Sequence, residues 1–377
     1  MKKAIYLLAA AALMASCNQE VLIDTPEPQP EAPRRIGFET FVNKATRANS
    51  TELNDFYPTF NVYGWKTVGG DVTCVFNDIA VEHFSADAAG TVVYQAGKPS
   101  DEWPVSDPFA AGWFYEEIRY WDKMADNYQF SAYVPAAASG VVACTADGVI
   151  KIGTSTAPIT VEGKNLMATP ATALAFTGYE YDYMTAQSTT PTSPVALTFK
   201  HLQAKFNVRI KLAASVTTAQ DVSVQKIQIH NLGDKAYYVS DAAAPAVDGW
   251  TLGTASADYV PKVETPYTLN AATNYHNHYV MEQLIIPQTI AKATAAAPSL
   301  SEYAEACIYV EYTIGTEVFK SYTPLANLFI GSAADDAYTF KAGNQYTLTI
   351  NIGPEPIEFT AEVATWADAV EKDKYMD

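Results

Sequence analysis

Two histidines in the C-terminal half have the type and spacing that suit metal binding. His276 and His278 are two residues apart, so on a β-strand both imidazoles would lie on one face and supply two nitrogen ligands. A zinc site needs at least one further ligand, and the sequence places no carboxylate or third histidine beside this pair. The pattern is also typical of a solvated strand face, which we favour, and we predict no metal and no other cofactor.

Two adjacent acidic pairs, Glu116-Glu117 and Asp335-Asp336, raise the question of glycoside hydrolysis, which uses two carboxyl groups at a set separation. Neighbouring residues on a strand point in opposite directions, so adjacency alone does not create that geometry. The chain also lacks the HExxH, GxSxG, GxGxxG and P-loop motifs. We therefore interpret the acidic pairs as solvated turns and predict no catalytic residues and no enzymatic activity.

An aromatic cluster between positions 103 and 121 is the one feature that could stack on a sugar ring. Its members are Trp103, Trp113, Phe114, Tyr115, Tyr120 and Trp121. The same residues would also pack a long inserted loop against a β-sheet, and we favour that interpretation. A glycan-binding surface remains the alternative.

Cys17 has the most clearly predicted chemistry. Lys2 and Lys3 precede a short apolar run, and residues 13–16 read Leu-Met-Ala-Ser directly before the cysteine. This order is typical of a removable export signal, and the apolar run is too short for a permanent transmembrane helix. It matches the bacterial lipobox, which predicts cleavage before Cys17, lipidation of its thiol and attachment to a membrane. An ordinary signal peptide that happens to contain a cysteine is the alternative.

Composition narrows the range of partners. The net charge of −18 and the absence of a basic cluster argue against nucleic acid. Besides Cys17, the chain has Cys74, Cys144 and Cys307, which are odd in number and widely spaced. A disulfide framework is therefore not predicted. A single Cys74–Cys144 pair and three scattered buried thiols both remain open.

The elements that position these residues begin after the export signal of residues 1–16. Residues 17–35 combine prolines with acidic residues and few apolar ones, which predicts an extended tether behind the lipidated cysteine. From residue 36 the pattern alternates with period two, which predicts a strand. Its apolar face consists of Ile36, Phe38, Thr40 and Val42. A polar loop that contains Arg47 follows this strand.

Period-two alternation recurs along the chain, whereas long helical stripes do not. Residues 202–212 place apolar side chains on one face and polar ones on the other, which predicts a strand buried on one side only. Residues 195–199 alternate in the opposite phase, so we predict a β-bulge near Lys200-His201, with His201 a bulge residue and not a ligand.

Many short alternating segments separated by turn residues predict an all-β, mostly antiparallel architecture of sandwiches. Residues 308–322 form a predicted hairpin that turns at Gly315, and residues 346–352 form another strand. A short helix is considered within the alanine-rich residues 290–306. The length suits two domains, which we place at residues 36–213 and 214–377, with the boundary near residues 213–221.

Several stretches, taken in order, resemble the fimbrillin family of Bacteroidales, the subunits of type V pili and their surface relatives. They are the lipobox, Ile36-Gly37-Phe38 leading to Asn43-Lys44-Ala45-Thr46-Arg47, Tyr128-Gln129-Phe130-Ser131-Ala132-Tyr133-Val134-Pro135, residues 195–206 with Phe199-Lys200-His201-Leu202-Gln203-Ala204-Lys205, and Leu284-Ile285-Ile286-Pro287-Gln288. The resemblance covers nearly the whole chain.

This resemblance implies two transthyretin-like antiparallel β-sandwich domains and delivery to the outer membrane as a surface-exposed lipoprotein. It also implies cleavage by an arginine-specific maturation protease in the loop after the first strand, where Arg47 matches the cleaved position. Loss of the first strand leaves a hydrophobic groove that a strand from a neighbouring subunit fills. The implied partners are therefore other pilin subunits, and the implied product is an adhesive fimbrium.

Near the C-terminus, residues 357–366 alternate in the manner required of such a donor strand. Its apolar face consists of Ile357, Phe359, Ala361 and Val363, and Trp366 ends the run. Simple pairing at the edge of its own domain is an equally open interpretation.

Two functions follow as hypotheses. The leading one is a structural and adhesive pilus subunit assembled by protease-triggered strand exchange. The rival is a monomeric surface lipoprotein that binds a glycan or a host protein through the aromatic cluster. Release of the first strand after cleavage at Arg47 distinguishes them.

Overall fold

The computed structural model describes residues 34–42, 53, 57–84, 112–136, 142–160, 182–191, 194–213, 222–243, 246–253, 267–269, 278–293, 305–332, 334–353 and 357–365. These residues form almost only β-structure, as the alternating pattern predicts. In chain order the strands are β1 (Phe38–Val42), β2 (Thr59–Val68), β3 (Asp71–Phe84), β4 (Gly112–Phe114), β5 (Asn127–Val134), β6 (Val142–Cys144), β7 (Ile150–Ile152), β8 (Ile159–Thr160), β9 (Met184–Ser188), β10 (Val195–His201), β11 (Ala204–Leu212), β12 (Val222–His230), β13 (Lys235–Val239), β14 (Trp250–Leu252), β15 (Tyr267–Leu269), β16 (His278–Ile285), β17 (Gln288–Ala291), β18 (Cys307–Ile314), β19 (Glu317–Pro324), β20 (Ala337–Phe340), β21 (Asn344–Ile352) and β22 (Glu358–Thr365). The one α-helix within these ranges is the short α1 (Leu325–Phe329).

The first sheet has seven strands in the order β1-β10-β9-β5-β2-β3-β4. β1 forms one edge and runs parallel to β10, with Phe38 opposite Val195 and Val42 opposite Phe199. The other pairs of this sheet are antiparallel. Alternate side chains of these strands form a dense, largely aromatic core. The parallel edge pair is a departure from the predicted antiparallel pattern.

Two four-stranded sheets from the second half of the chain, β16-β11-β21-β22 and β15-β12-β18-β19, contribute to a second core. Phe206, Val310 and Leu348 are among its fully buried side chains. β11 and β21 run parallel, whereas β22 lies at an edge and pairs with β21 in antiparallel fashion. Two facing sheets around one apolar layer are a sandwich.

A further sheet combines strands from both halves of the chain. β6 and β7 pair with one another, and β7 and β8 pair with β13, which in turn pairs with β14. A third core lies here, and the indole Nε1 of Trp250 donates a hydrogen bond of 2.6 Å to the carbonyl of Leu202 within it. The strands on the two sides of the predicted boundary are therefore hydrogen bonded to each other. Residues 214–221, where we place that boundary, lie outside the described residues.

The predicted β-bulge at Lys200-His201 is wrong. β10 ends at His201 and β11 begins at Ala204, and the two strands belong to different sheets. The apolar phase changes because the chain leaves one sheet and enters another. His201 is instead buried, with Nδ1 at 3.0 Å from a carboxylate oxygen of Asp182.

The prediction that β11 is buried on one side only is wrong for the first part of the strand, whereas Arg209 is partly exposed and Lys211 exposed as predicted. Gln203 and Asn207 on its polar face are fully buried, and Lys205 is 2% exposed. Part of the cover comes from the segment before β9, because Gln203 Oε1 accepts a hydrogen bond of 3.0 Å from the backbone N–H of Tyr183. An alternating pattern identifies the two faces of a strand but not whether a distant segment covers the second one.

Several local predictions are confirmed. β18 and β19 form the predicted hairpin, and Gly315 occupies its turn with a φ of +60°, a conformation that favours glycine. β21 contains the predicted strand of residues 346–352. The helix considered for residues 290–306 is wrong at its start, which belongs to β17, and residues 294–304 lie outside the described residues.

Cys74, Cys144 and Cys307 are free thiols, so the Cys74–Cys144 pair is absent. Cys307 is buried and Cys144 partly so, whereas Cys74 is exposed, so the alternative of three buried thiols is also not met in full. Within the described ranges, no helix has the length and apolar character required to cross a membrane.

Candidate functional site

Every second side chain of the first strand and of the residues just before it is buried in the core of the seven-stranded sheet. Ile36, Phe38, Thr40 and Val42 are between 0% and 5% exposed, whereas Glu39 between them is exposed. The sequence predicted this face correctly, because period two places alternate residues on the same side of a strand. Among the described strands, β1 pairs only with β10, since it lies at the edge of the sheet.

Phe38 occupies a box of four aromatic rings. Its ring centroid lies 5.5 Å from that of Phe76 and 5.9 Å from those of Phe60, Tyr115 and Phe130, with interplanar angles between 65° and 89°. Edge-to-face pairs at these distances contribute beyond the burial of area alone, by about 0.5–1.5 kcal/mol each. The box therefore holds the first strand through its phenylalanine side chain, and its rings come from β2, β3, β5 and the segment after β4.

The backbone just before β1 is clamped by the segment that follows β4. The Tyr115 hydroxyl donates to the Ile36 carbonyl at 2.7 Å and accepts from the Arg119 backbone N–H at 3.2 Å. The Ile36 N–H donates to the Arg119 carbonyl at 2.9 Å. Burial raises the pKa of Tyr115 to about 12, so the phenol remains a neutral donor. These contacts are made with the backbone of residue 36 and do not depend on its side chain.

Thr40 is the one polar residue on the buried face of the first strand. It is 2% exposed, and its Oγ1 has no hydrogen-bond partner among the described residues. A buried hydroxyl without a partner costs roughly 1–3 kcal/mol, because its bonds to water are lost and not replaced. The first strand is therefore less well suited to its groove at this position than an apolar residue would be.

The last described strand, β22, is bound less completely than β1. It pairs along its length with β21, with Phe359 opposite Ile350 and Val363 opposite Tyr346. Ile357, Phe359 and Ala361 are only partly buried against the second core, and Val363 is 51% exposed. The structure thus places the candidate donor residues on the edge strand of their own sheet, with much of their apolar surface accessible.

Other predicted functional residues fall outside the described residues or show no site. Cys17, Arg47, Trp366, His276 and Trp103 lie outside them, and the side chain of His278 is not described. No cluster of three metal-binding side chains occurs among the residues that the structure describes. The two acidic pairs are exposed, as expected of solvated turns.

Most of the described aromatic cluster belongs to the core. Trp113, Phe114 and Tyr115 are between 3% and 9% exposed, and the Trp113 ring packs at 4.9 Å from that of Phe60. Tyr120 is 48% exposed, and it is paired through a backbone bridge with Arg35. The buried rings support the packing interpretation, since a ring in the core cannot stack on a sugar.

Sequence reasoning identified the first strand but missed the residues that receive it. Phe60, Phe76 and Phe130 come from three different strands, and no local spacing relates them to Phe38. Tyr115 was identified as aromatic packing, but its hydrogen bond to the Ile36 carbonyl was not predicted. Taken together, the edge position, the box and the clamp make a site that holds an extended apolar segment.

Comparison with known proteins gives one family. A family model described as fimbrillin-like matches residues 46–366. Among solved structures, a fimbrial protein from Bacteroides vulgatus is 14% identical with a TM-score of 0.49, over 89% of this chain and all of the other. The tip fimbrial protein Mfa3 from Porphyromonas gingivalis, with a C-terminal truncation, is 11% identical with a TM-score of 0.38, over 87% of this chain and 99% of the other. A search of curated proteins gave no match.

Proposed function

Because this chain belongs to the fimbrillin-like family, we propose that it is a subunit of a type V-like pilus that assembles by protease-triggered exchange of its first strand. Family membership makes it a structural and adhesive protein of the cell surface, not an enzyme, with other pilin subunits as partners. The strand exchange, the lipid anchor and the maturation protease are the parts that we propose beyond membership.

The proposed architecture is two transthyretin-like sandwich domains, residues 36–213 and 214–377. The separate cores of the seven-stranded sheet and of the two four-stranded sheets support two domains. They favour a division before β11, because Ala204, Phe206 and Val208 belong to the second core. The sheet that joins β7 and β8 to β13 would hold the two domains together as one rigid subunit.

The observation that carries the proposal is the position of β1. It is buried by alternate side chains, yet it lies at a sheet edge and ends five residues before Arg47. Cleavage after Arg47 would separate this strand from the rest of the chain without cutting any described strand. Its departure would expose an apolar trough and the unpaired backbone groups of β10, which an extended segment can restore by β-strand addition.

Export supplies the subunit to the surface before exchange. In this proposal residues 1–16 are removed, Cys17 is lipidated, and the residues after it span from the outer membrane to the folded part. The predicted tether of residues 17–35 is too long at its end, because the Arg34 carbonyl accepts a hydrogen bond of 2.9 Å from the Trp121 N–H and Arg35 bridges to Tyr120. The tether precedes the cleavage position, so cutting after Arg47 would release the subunit from its lipid anchor as well as opening the groove.

Replacing the lipidated residue tests the anchor. In a Cys17→Ala variant we expect the uncleaved protein to partition into the soluble fraction instead of the membrane fraction, because lipid chains supply the attachment. Fractionation of cells and immunoblotting measure this, with Ser16→Ala as a control that keeps the thiol. A Cys17→Ala protein that stays in the membrane fraction contradicts the lipobox prediction.

The proposal as a whole is tested by cleavage of purified protein with an arginine-specific protease. We expect a cut after Arg47, identified by N-terminal sequencing, followed by ladders of oligomers on a native gel. An Arg47→Gln variant, treated in the same way, should stay monomeric although its other arginines remain. If the wild-type protein is not cut there, or is cut and stays monomeric, strand exchange is wrong and the monomeric surface lipoprotein becomes the better hypothesis.

A further inference from the structure

The chain contains five arginines, and the structure holds four of them in paired backbone. The five are Arg34, Arg35, Arg47, Arg119 and Arg209. Arg209 lies within β11, where Tyr279 of β16 and Thr349 of β21 are its backbone partners on the two sides. Arg47, in the predicted polar loop, lies outside the described residues. The other three lie together beside the first strand.

A single antiparallel bridge joins residues 34–36 to residues 119–121. Its contacts are the pairing of Arg35 with Tyr120 and two hydrogen bonds of 2.9 Å, from the Trp121 N–H to the Arg34 carbonyl and from the Ile36 N–H to the Arg119 carbonyl. These two carbonyls belong to the peptide bonds that cleavage after Arg34 or Arg119 would break. A protease binds its substrate as an extended strand and takes that carbonyl into its oxyanion hole, so the bridge has to open first.

The segment around Arg119 has no comparable protection from its own neighbours in the chain. Glu117 and Tyr120 on either side are exposed, and proteolysis concentrates at exposed loops. The segment is fixed only toward its ends, where Tyr115 and Trp121 pack in the core of the seven-stranded sheet. The bridge to the residues before β1 is therefore what holds the scissile carbonyl of Arg119.

We propose that the Arg119–Tyr120 bond is a conditional cleavage site, protected while the first strand is in place and cut once that strand has left. The inference rests on the proposed strand exchange, because residues 34–36 depart with β1 after cleavage at Arg47. Hydrolysis adds one water across the bond and leaves a carboxylate on Arg119 and an α-amino group on Tyr120. The arginine-specific maturation protease supplies both cuts.

The same bridge keeps the tether joined to the first strand in the closed subunit. A cut after Arg34 or Arg35 would free the subunit from its anchor while β1 stayed in the groove, which gives a soluble subunit that is unable to exchange strands. Because the bridge closes these bonds, release from the anchor and opening of the groove result from one cut, at Arg47.

Cleavage after Arg119 inactivates a subunit whose groove is empty. The nick breaks the segment between Tyr115, one ring of the aromatic box, and Trp121. Its two new ends are charged and favour water over the apolar groove. The nicked subunit loses the backbone clamp that receives an extended strand, so it no longer takes part in assembly.

Digestion of an Arg47→Gln variant tests the protection without any strand exchange. We expect the folded variant to stay intact with an arginine-specific protease, whereas the same variant unfolded in urea should be cut after Arg34, Arg35 and Arg119. N-terminal sequencing and intact mass identify the products. Folded protein that is cut after Arg119 as fast as unfolded protein overturns the inference, because the bridge would then give no protection.

Loosening the bridge provides the matched comparison. Tyr115→Phe, added to Arg47→Gln, keeps the ring but loses the hydroxyl that bonds the Ile36 carbonyl and the Arg119 N–H. Cleavage after Arg119 should become about tenfold faster. Tyr312→Phe is the control, since it removes another buried hydroxyl bond, within the second core, and should leave the rate unchanged. Equal rates for the two variants contradict protection by the bridge.

In the wild-type protein the two cuts should occur in a fixed order. At a concentration too low for polymerisation, we expect the fragment that begins at Ala48 first, and the fragment that begins at Tyr120 after a lag during which the first strand leaves. Arg119→Lys should abolish only the second fragment. Simultaneous appearance of both fragments overturns the conditional site, and so does an Ala48 product that has released residues 1–47 and resists the second cut.

The two levels of the proposal fail differently. If the wild-type protein is not cut after Arg47, the proposed function fails and the conditional site fails with it, while digestion of the Arg47→Gln variants still decides whether the bridge protects its arginines. If the cut after Arg47 is made and polymers form, but Arg119 is cut equally in closed and opened subunits, strand exchange stands and this inference is wrong.

Discussion

A Phe38→Asp variant of the uncleaved protein is expected to lose about 4 kcal/mol or more of unfolding free energy in its N-terminal core. The phenyl ring that contacts four aromatic rings would be replaced by a carboxylate, and Phe38 is only 5% exposed. Removal of a buried phenylalanine side chain costs about 3–5 kcal/mol through lost contacts and the cavity, and a buried unpaired charge adds to this. A loss of this size is comparable with the whole stability of many domains.

The matched control is Phe41→Asp. It makes the same substitution on the same strand, but on the half-buried outward face, and should cost less than half as much. The measurement is the urea midpoint followed by tryptophan fluorescence, since Trp113 and Trp121 belong to or contact this core. Equal midpoints for the two variants would show that the face of Phe38 is not the one buried in solution. If Phe38→Asp does not fold at all, Phe38→Leu provides the graded comparison, with a smaller loss expected from the same contacts.

This prediction depends on a face that could be read from the sequence. Ile36, Phe38, Thr40 and Val42 alternate with polar or small neighbours for most of the strand, and such a period leaves one arrangement in which a core is formed. The hairpin at Gly315 was predictable for a similar reason, because a turn that requires positive φ favours glycine. Both features depend only on residues close together in the sequence, so a local pattern is enough to predict them.

The parts that were not predictable are those set by segments distant in the chain. Gln203, Lys205 and Asn207 look like a solvent face, and only the position of the segment before β9 shows that part of it is covered. The aromatic box joins Phe38 to residues 22 to 92 positions away, and no spacing rule connects them. The transition from β10 to β11 produces a phase change that a bulge would also produce, so the pattern alone did not distinguish them.

The first strand must satisfy two opposing requirements in the proposed function. It has to complete the core while the subunit is exported, which the box and the clamp achieve, and it has to leave when a donor arrives. An edge strand with a single neighbour is the element that can depart without disrupting other pairs. The buried hydroxyl of Thr40, which has no partner among the described residues, weakens the binding of this strand to its groove.

The last prediction separates the two roles of the C-terminal strand. Phe359→Asp should lower the stability of the monomer by only about 1 kcal/mol, because Phe359 is partly exposed on an edge strand. In the vacated groove the same carboxylate would lie on the apolar face of the donor strand, where a buried unpaired charge costs several kcal/mol. The affinity of the donor should therefore fall by roughly a thousandfold or more, since each 1.4 kcal/mol is a factor of ten. Thr360→Asp, on the exposed outward face, is the matched control for both effects.

Two measurements on the Phe359→Asp protein decide the matter: the urea midpoint before cleavage, and oligomer formation after cleavage at Arg47. We expect a near-normal midpoint and no homopolymer. The groove of the variant is unchanged, so it should still accept a wild-type donor and end the chain, which predicts progressively shorter ladders as the variant is mixed with wild-type subunits. If Phe359→Asp destabilises the monomer as strongly as Phe38→Asp does, residues 357–363 are required for the stability of their own subunit. If the variant is stable and polymerises without wild-type subunits, another segment is the donor. Either outcome would exclude the C-terminal strand as the donor. The proposal requires Phe359 to contribute much more to binding in the neighbouring subunit than to the stability of its own subunit.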